Sequence, residues 1–265
     1  MPDPKYGNFH APGSLRQLTK GRGWNSELTG FLLPFAMRDY FYRMYDFENA
    51  TISPDWTVAN SSGTSAADFA STDAVENGVL RGDTGTDDNG SITIYYGKTM
   101  FDAARNPGAE MGLSFDAVTS LAYEFMFTDP PTTSTTLNIS ALSDVGAPTW
   151  ASNATTDSAG IVLNTDLTAT TACVVSQGTT DADSGGLLGT FSPTAGVTAF
   201  NVYRIQLGDG YVHAIIDDKA GQERRLALGP DTGVLMRPGL IVATKTGTAR
   251  FPDLDYVRLW SERSY

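Results

Sequence analysis

The chain is expected to be all-β, a two-sheet antiparallel sandwich preceded by an extended N-terminal arm. Its C-terminal quarter reads NVYRIQL, Gly208-Asp209-Gly210, YVHAIIDD, then GLIVAT, a Gly-Thr turn and FPDLDYVRLW. Runs of β-branched and aromatic residues around a short Gly-Asp-Gly connector are the local pattern of a hairpin. Further apolar runs recur at 8–20 residue spacing with Gly, Asn, Asp and Pro between them, as a sandwich requires. No segment has the length and period of a helix that could join parallel strands.

Taken in order, residues 1–30 are rich in Gly, Pro and polar residues with isolated aromatics at Tyr6, Phe9 and Trp24, which predicts an extended arm and no core element. Residues 31–47, FLLPFAMRDYFYRMYDF, are apolar and aromatic but broken by Pro34, with a short helix expected around Ala36–Tyr42. This segment either packs on its own sandwich or anchors the chain in a partner, because so large an apolar patch is rarely left in water. The arm is therefore bounded at residues 1–45 and the sandwich at 46–265. Strands are predicted at WTVA, GVLRG, SITIYYG, AEMGLSF, SLAYEFMFTD, TLNISAL, AGIVLN and ACVVSQ, followed by the C-terminal set. The Ser/Thr/Ala/Gly/Asp-rich stretches 60–76, 143–159 and 178–199 read as surface loops.

With 265 residues, 41% hydrophobic and 18% charged, the chain can bury a full core in one domain and is poorer in charge than the ~25% of a typical soluble protein. The net charge of −12 argues against nucleic acid as a partner, since phosphate contacts are made by cations. The charge is uneven. Residues 1–46 hold Lys5, Arg16, Lys20, Arg22, Arg38 and Arg43 against Asp3, Glu27, Asp39 and Asp46, a net of +2, and the rest of the chain carries −14. The single cysteine, Cys173, permits no intrachain disulfide and reads as a buried strand thiol. The opening residues MPDPKYGNFHAPG lack a secretory pattern and no apolar run reaches the ~20 residues of a membrane span, so the expectation is a protein made in a cytoplasm, with no membrane partner.

The residues for catalysis are sparse. Sandwich glycosidases need two carboxylates flanking the scissile bond, commonly at alternate positions of one strand. Glutamate occurs only at 27, 48, 76, 110, 124, 223 and 262, never in such a pattern. Asp253 and Asp255 alternate but read as the end of a loop entering the last strand. His10 and His213 are the only histidines, too few for a zinc site or a serine triad as the sequence presents them; His213 reads as a strand residue with a local hydrogen bond. The turn Asp83–Gly90 offers Asp83, Asp87 and Asp88 as weak Ca²⁺ ligands, although Asp/Asn/Gly clusters are also what a hairpin turn uses. Gly82, Gly85 and Gly90 precede no helix that would receive phosphate. No cofactor and no enzymatic activity are expected.

Several passages taken together resemble the concanavalin-like jelly-roll proteins of tailed-phage virions. They are Tyr45-Asp46-Phe47 with Trp56 and the run Gly78–Asn89; Ala122–Asp129 with Gly160–Asp166; and Tyr203–Leu207 with Asp253–Trp260, in an order spanning about residues 45–262. The resemblance implies a jelly-roll sandwich and a virion role, on the head or the tail. The arm favours an outer capsid decoration (cement) protein that binds the major capsid protein. Rings of Trp24, Phe31, Leu32, Leu33, Phe35, Tyr40, Phe41 and Tyr42 would be buried on the neighbour, and Arg16, Lys20, Arg22, Arg38 and Arg43 would meet acidic groups. Threefold capsid sites would suit a homotrimer. The competing expectation is a carbohydrate-binding module, free or on a tail, stacking sugars on Tyr95, Tyr96, Tyr123 or Trp150; alternating aromatics on strands otherwise read as core.

Overall fold

A computed structural model describes residues 40–47, 52–61, 68–72, 78–129, 139–143, 149–152, 157–165, 172–178, 184–187, 195–196, 199–217 and 222–262. Two antiparallel sheets face each other. Sheet A contains β1 (Tyr40–Asp46), β3 (Asp68–Thr72), β4 (Val79–Asp83), β6 (Gly108–Phe115), β13 (Asn201–Gly208), β14 (Tyr211–Ile216), β15 (Glu223–Leu226) and β17 (Pro252–Glu262). Their order is β15-β14-β13-β6-β17-β4-β3, with β1 paired to β17. Sheet B runs β12 (Ser184–Leu187), β11 (Cys173–Gln177), β10 (Ser158–Asn164), β7 (Leu121–Thr128), β16 (Arg237–Thr244), β5 (Ser91–Tyr96), β2 (Trp56–Asn60). A separate hairpin joins β8 (Ile139–Ser143) and β9 (Thr149–Ser152). Among the described residues no helix is long and apolar enough to cross a membrane.

Period-2 alternation builds the core. On β7, Leu121, Tyr123, Phe125 and Phe127 turn inward, and they meet Met111, Leu113 and Phe115 of β6, Tyr203, Ile205 and Leu207 of β13, and Leu240 and Val242 of β16. The rings interlock: Phe115 stacks on Tyr123 at 5.1 Å, and Tyr123 meets Tyr203 edge-on at 5.6 Å. Each such pair contributes roughly 0.5–1.5 kcal/mol beyond the area it buries.

The strand expectations hold for the named runs, and five strands were not foreseen. β3, β9 and β12 lie inside stretches expected to be loops, and β15 inside the polar crossing. The helix expected at Ala36–Tyr42 is corrected where it is described: Tyr40 onward is β1, because its backbone pairs antiparallel along β17, which puts Phe41 and Tyr45 on one core-facing side. The Gly-Asp-Gly connector is shorter than expected. Gly208 is still in β13, opposite Tyr211, and only Asp209 and Gly210 turn, Gly210 at φ 68°. A Cβ on Gly208 would lie 2.0 Å from the Tyr211 ring, so this strand end admits only glycine without displacing that ring.

Cys173 is buried on the face of sheet B away from the main core, clustered with Met126, Val162 and Val175. Burial pushes its thiol up to about 11. Because the thiolate is the nucleophile, the native chain is expected to resist a thiol-disulfide reagent at pH 8, and the urea-unfolded chain to react with one equivalent. Prompt labelling of the native chain would contradict this placement.

Candidate functional site

β7 runs through the middle of sheet B, and every second side chain on it faces away from the core. The positions of β7 facing away from the core are Ala122, Glu124, Met126 and Thr128, so this central strand presents one carboxylate and not a pair. Glu124 is buried, and its register neighbours are Val162 on β10 and Ile241 on β16, both apolar. Asp253 and Asp255 lie within β17, not in a loop before it. The Asp253 carboxylate takes a two-pronged pair of hydrogen bonds from Arg81, Nε at 2.8 Å and a terminal nitrogen at 2.7 Å. Asp255 is held above the usual carboxylate range, first by burial and then by repulsion from Asp46.

The aromatic candidates for sugar stacking do not form an exposed platform. Tyr96 and Tyr123 are core residues between the sheets, and Tyr95, on the opposite face of sheet B, is also buried. A ring must be open on one face to stack on a sugar, so these three are corrected to structural residues. Trp150 lies in β9, and its side chain is outside the described residues.

The Asp83–Gly90 turn is likewise closed on itself. Asp83 accepts the Gly85 N–H at 2.7 Å and the Asp87 carbonyl accepts the Gly90 N–H at 2.8 Å, while Asp87 and Asp88 are exposed. Among the described residues no group of three or more ligating side chains converges, so the Ca²⁺ candidates Asp83, Asp87 and Asp88 are not brought together. His213 makes the local contact expected of it, 2.6 Å from the Glu223 carboxylate on β15.

What the structure does assemble is the pairing of β1 with the last strand. β1 pairs with β17 from Tyr40↔Glu262 to Asp46↔Tyr256. β4 pairs with the start of the same edge of β17 (Asp253↔Arg81, Leu254↔Leu80), and a bulge between Leu254 and Val257 divides the two stretches. The ring of Phe41 meets Phe101 at 5.7 Å, and Tyr45 meets Trp56 at 5.3 Å. The Tyr45 hydroxyl donates to Asp55 at 2.8 Å, and its pKa is raised, chiefly by burial. The arm boundary at residue 45 is thus corrected: residues 40–46 are a strand of the sandwich. Of the proposed capsid contacts, Arg16, Lys20, Arg22, Trp24, Phe31, Leu32, Leu33, Phe35 and Arg38 lie outside the described residues. Tyr40, Phe41, Tyr42 and Arg43 lie in β1; Phe41 packs against the core, Tyr42 is half-buried and Arg43 is exposed.

Next to β1 on the outer face of sheet A is a group the sequence did not reveal. Glu110 of β6 is 1% exposed, and Arg204 of β13 is 5% exposed. Arg204 Nε donates to Glu110 Oε2 at 2.6 Å, and a terminal nitrogen of Arg204 approaches the same oxygen. On the other oxygen, Arg258 donates at 2.9 Å and the Tyr256 hydroxyl at 3.0 Å. The Arg258 guanidinium also lies 4.7 Å from the centre of the Tyr256 ring. One carboxylate thus ties three neighbouring strands together. The one local sign of it was a Glu between the core-facing Ala109 and Met111, which alternation places outward.

No family model matches the chain, and no curated protein is found as a relative. Solved structures similar to it include a prokaryotic β-1,3-1,4-glucanase (lichenase) from a mouse hindgut metagenome, 13% identical with a TM-score of 0.53, covering 82% of this chain and 98% of that one. The exoplasmic/lumenal domain of VIP36 in its Ca²⁺/Man3GlcNAc-bound form is 11% identical, TM-score 0.51, covering 84% and 89%. The catalytic domain of an endo-1,3-β-glucanase (laminarinase) from Thermotoga petrophila RKU-1 is 15% identical, TM-score 0.50, covering 85% and 99%. The fold is the concanavalin A-like jelly roll, an architecture shared by carbohydrate-recognising proteins and glycoside hydrolases.

Proposed function

We propose that this chain is a non-enzymatic structural protein of a tailed-phage virion, a decoration protein that binds the major capsid protein on the outer surface of the head. The observation that carries the reading is the rooting of the arm. Residues 1–39, with Lys5, Arg16, Lys20, Arg22 and Arg38 against Asp3, Glu27 and Asp39, lead directly into a strand hydrogen-bonded along β17 and fastened by Phe41 and Tyr45. A cationic, aromatic arm gripping a neighbour would pull on a sheet and not on a loose end. The acidic body, left facing outward, would keep decorated particles soluble and apart. The lone outward carboxylate of β7 supports a role without hydrolysis.

The test is cosedimentation of the full chain, and of a chain lacking residues 1–39, with undecorated capsids at two salt concentrations. Saturable binding that needs the arm and weakens with salt is the expected result. No binding at either salt would overturn the reading. The alternative, glycan binding on a tail or by a free module, now has to rest on loops or Trp150, since Tyr95, Tyr96 and Tyr123 are buried; a glycan array is expected to be silent, and a specific signal there would transfer the assignment.

A further inference from the structure

We infer that the Asn89-Gly90 turn is a site of self-modification, at which the backbone nitrogen of Gly90 displaces the side-chain amide of Asn89 with assistance from the Lys245 ammonium group. The turn joins β4 to β5. Its Gly90 N–H donates to the Asp87 carbonyl at 2.8 Å, and Asn89 has φ 61°. This is the arrangement of a type II turn, whose third residue is left-handed and therefore Gly or Asn. Position 90 is closed to any side chain, since a Cβ there would lie 2.7 Å from the Thr84 carbonyl oxygen and 2.9 Å from that of Asp87. The turn thus selects Gly or Asn at 89 and glycine at 90. The sequence sets Asn before Gly, the pair in which an unhindered backbone nitrogen stands next to a side-chain amide. Asn89 is exposed, so water reaches it.

The reaction needs no reagent but water. The Gly90 nitrogen, its proton taken by hydroxide, bonds to Cγ of Asn89 and closes a five-membered succinimide; the Cγ–Nδ2 bond breaks, and the departing nitrogen takes a proton from water and leaves as ammonia. Water then opens the ring at one carbonyl to give aspartate, or at the other to give isoaspartate, which routes the main chain through the side chain. During the attack negative charge grows on Oδ1. Lys245 Nζ donates to that oxygen at 3.3 Å, so a cation stands where the charge develops. The Thr244 N–H donates to the Gly90 carbonyl at 2.9 Å, which keeps Gly90 beside Lys245 while the Asn89-Gly90 peptide turns to free its nitrogen from Asp87. The contact with Lys245 is exposed, and an exposed pair of this kind is worth about threefold in rate. One added carboxylate takes the net charge from −12 to −13. Isoaspartate also lengthens the chain by one carbon, which displaces Gly90 from Asp87 and Thr244. This chemistry uses neither the arm nor a capsid, so it stands independently of the capsid reading.

The test is incubation of the full chain at pH 8, native and in urea, alongside Lys245→Met. The tryptic peptide Gly82–Lys98, in which Asn89 is the only asparagine, is then resolved by chromatography and mass spectrometry into amide, aspartyl and isoaspartyl forms. The native chain is expected to lose the Asn89 amide and to yield both acidic forms. Lys245→Met is expected to slow this about threefold in the native chain and not at all in urea, where the two residues are no longer held together. Lys245→Arg, which keeps a cation at the position, is expected to restore most of the rate. An Asn89 amide still intact in the native chain after the unfolded chain has converted completely would overturn the inference. So would aspartate without isoaspartate, which would mean direct hydrolysis of the side chain, or equal native rates for the unaltered chain and Lys245→Met.

Discussion

Glu110→Ala is expected to destabilise the sandwich by about 3–5 kcal/mol, the loss that follows when one member of a buried ion pair is removed and the other is left behind. Arg204 is almost fully buried beside that carboxylate, and Arg258 and the Tyr256 hydroxyl share its other oxygen. Removing it leaves a guanidinium desolvated next to a second one, with the phenol donor unmatched. Against a typical total stability of about 5–15 kcal/mol, such a loss would leave much of the chain unfolded near its growth temperature. Urea unfolding followed by tryptophan fluorescence should show a lower midpoint at unchanged slope. Combining Glu110→Leu with Arg204→Met should cost less than the sum of the two single changes, since together they remove the stranded charge and the vacancy that creates it. Additive effects, or a Glu110→Ala loss below about 1 kcal/mol, the range of an exposed surface pair, would show that the network carries little of the stability.

A truncation that removes residues 1–39 is expected to leave a soluble, cooperatively folding sandwich, whereas one extended through Asp46 is expected to aggregate. The difference is β1. Its loss would uncover the edge of β17 from Tyr256 to Glu262 and withdraw Phe41 and Tyr45 from Phe101, Trp56 and Tyr96. Burying one such large side chain contributes roughly 1.5–3 kcal/mol, so two rings and a strand's hydrogen bonds together exceed what most domains can lose. The sequence alone would have put the safe boundary at residue 45, inside this strand. Thermal melts and light scattering of the two truncated chains distinguish the outcomes: equal behaviour of both would mean that β1 contributes nothing to the core. Unfolding of the shorter truncation as well would make the arm part of the body, and the capsid-anchor reading would lose its basis.

The all-β class and most of the strands were legible because each depends on neighbours in sequence. Alternation in LAYEFMFT and NVYRIQL states which side chains turn inward whatever the partner strand is. The resemblance to virion jelly rolls likewise needed only motif order, and the jelly roll itself is what the fold comparison supports.

What only the tertiary structure decided are features whose partners are distant in the chain. β3, β9, β12 and β15 carry weak propensity of their own and are strands because another strand lies beside them, since a sheet hydrogen bond is completed from outside the segment. β1 looked helical because Ala36–Tyr42 contains good helix formers between Pro34 and the aromatics; the free edge of β17, more than two hundred residues away, makes it a strand. Tyr95 and Tyr123 could equally have lined a groove until both faces of their sheet were seen to be covered. The Glu110 network joins residues 94 and 148 positions apart, and a charge says nothing of its counter-charge until the strands are in register. Local sequence set the period of each strand. Long-range pairing selected which edges were satisfied and which charges were buried together.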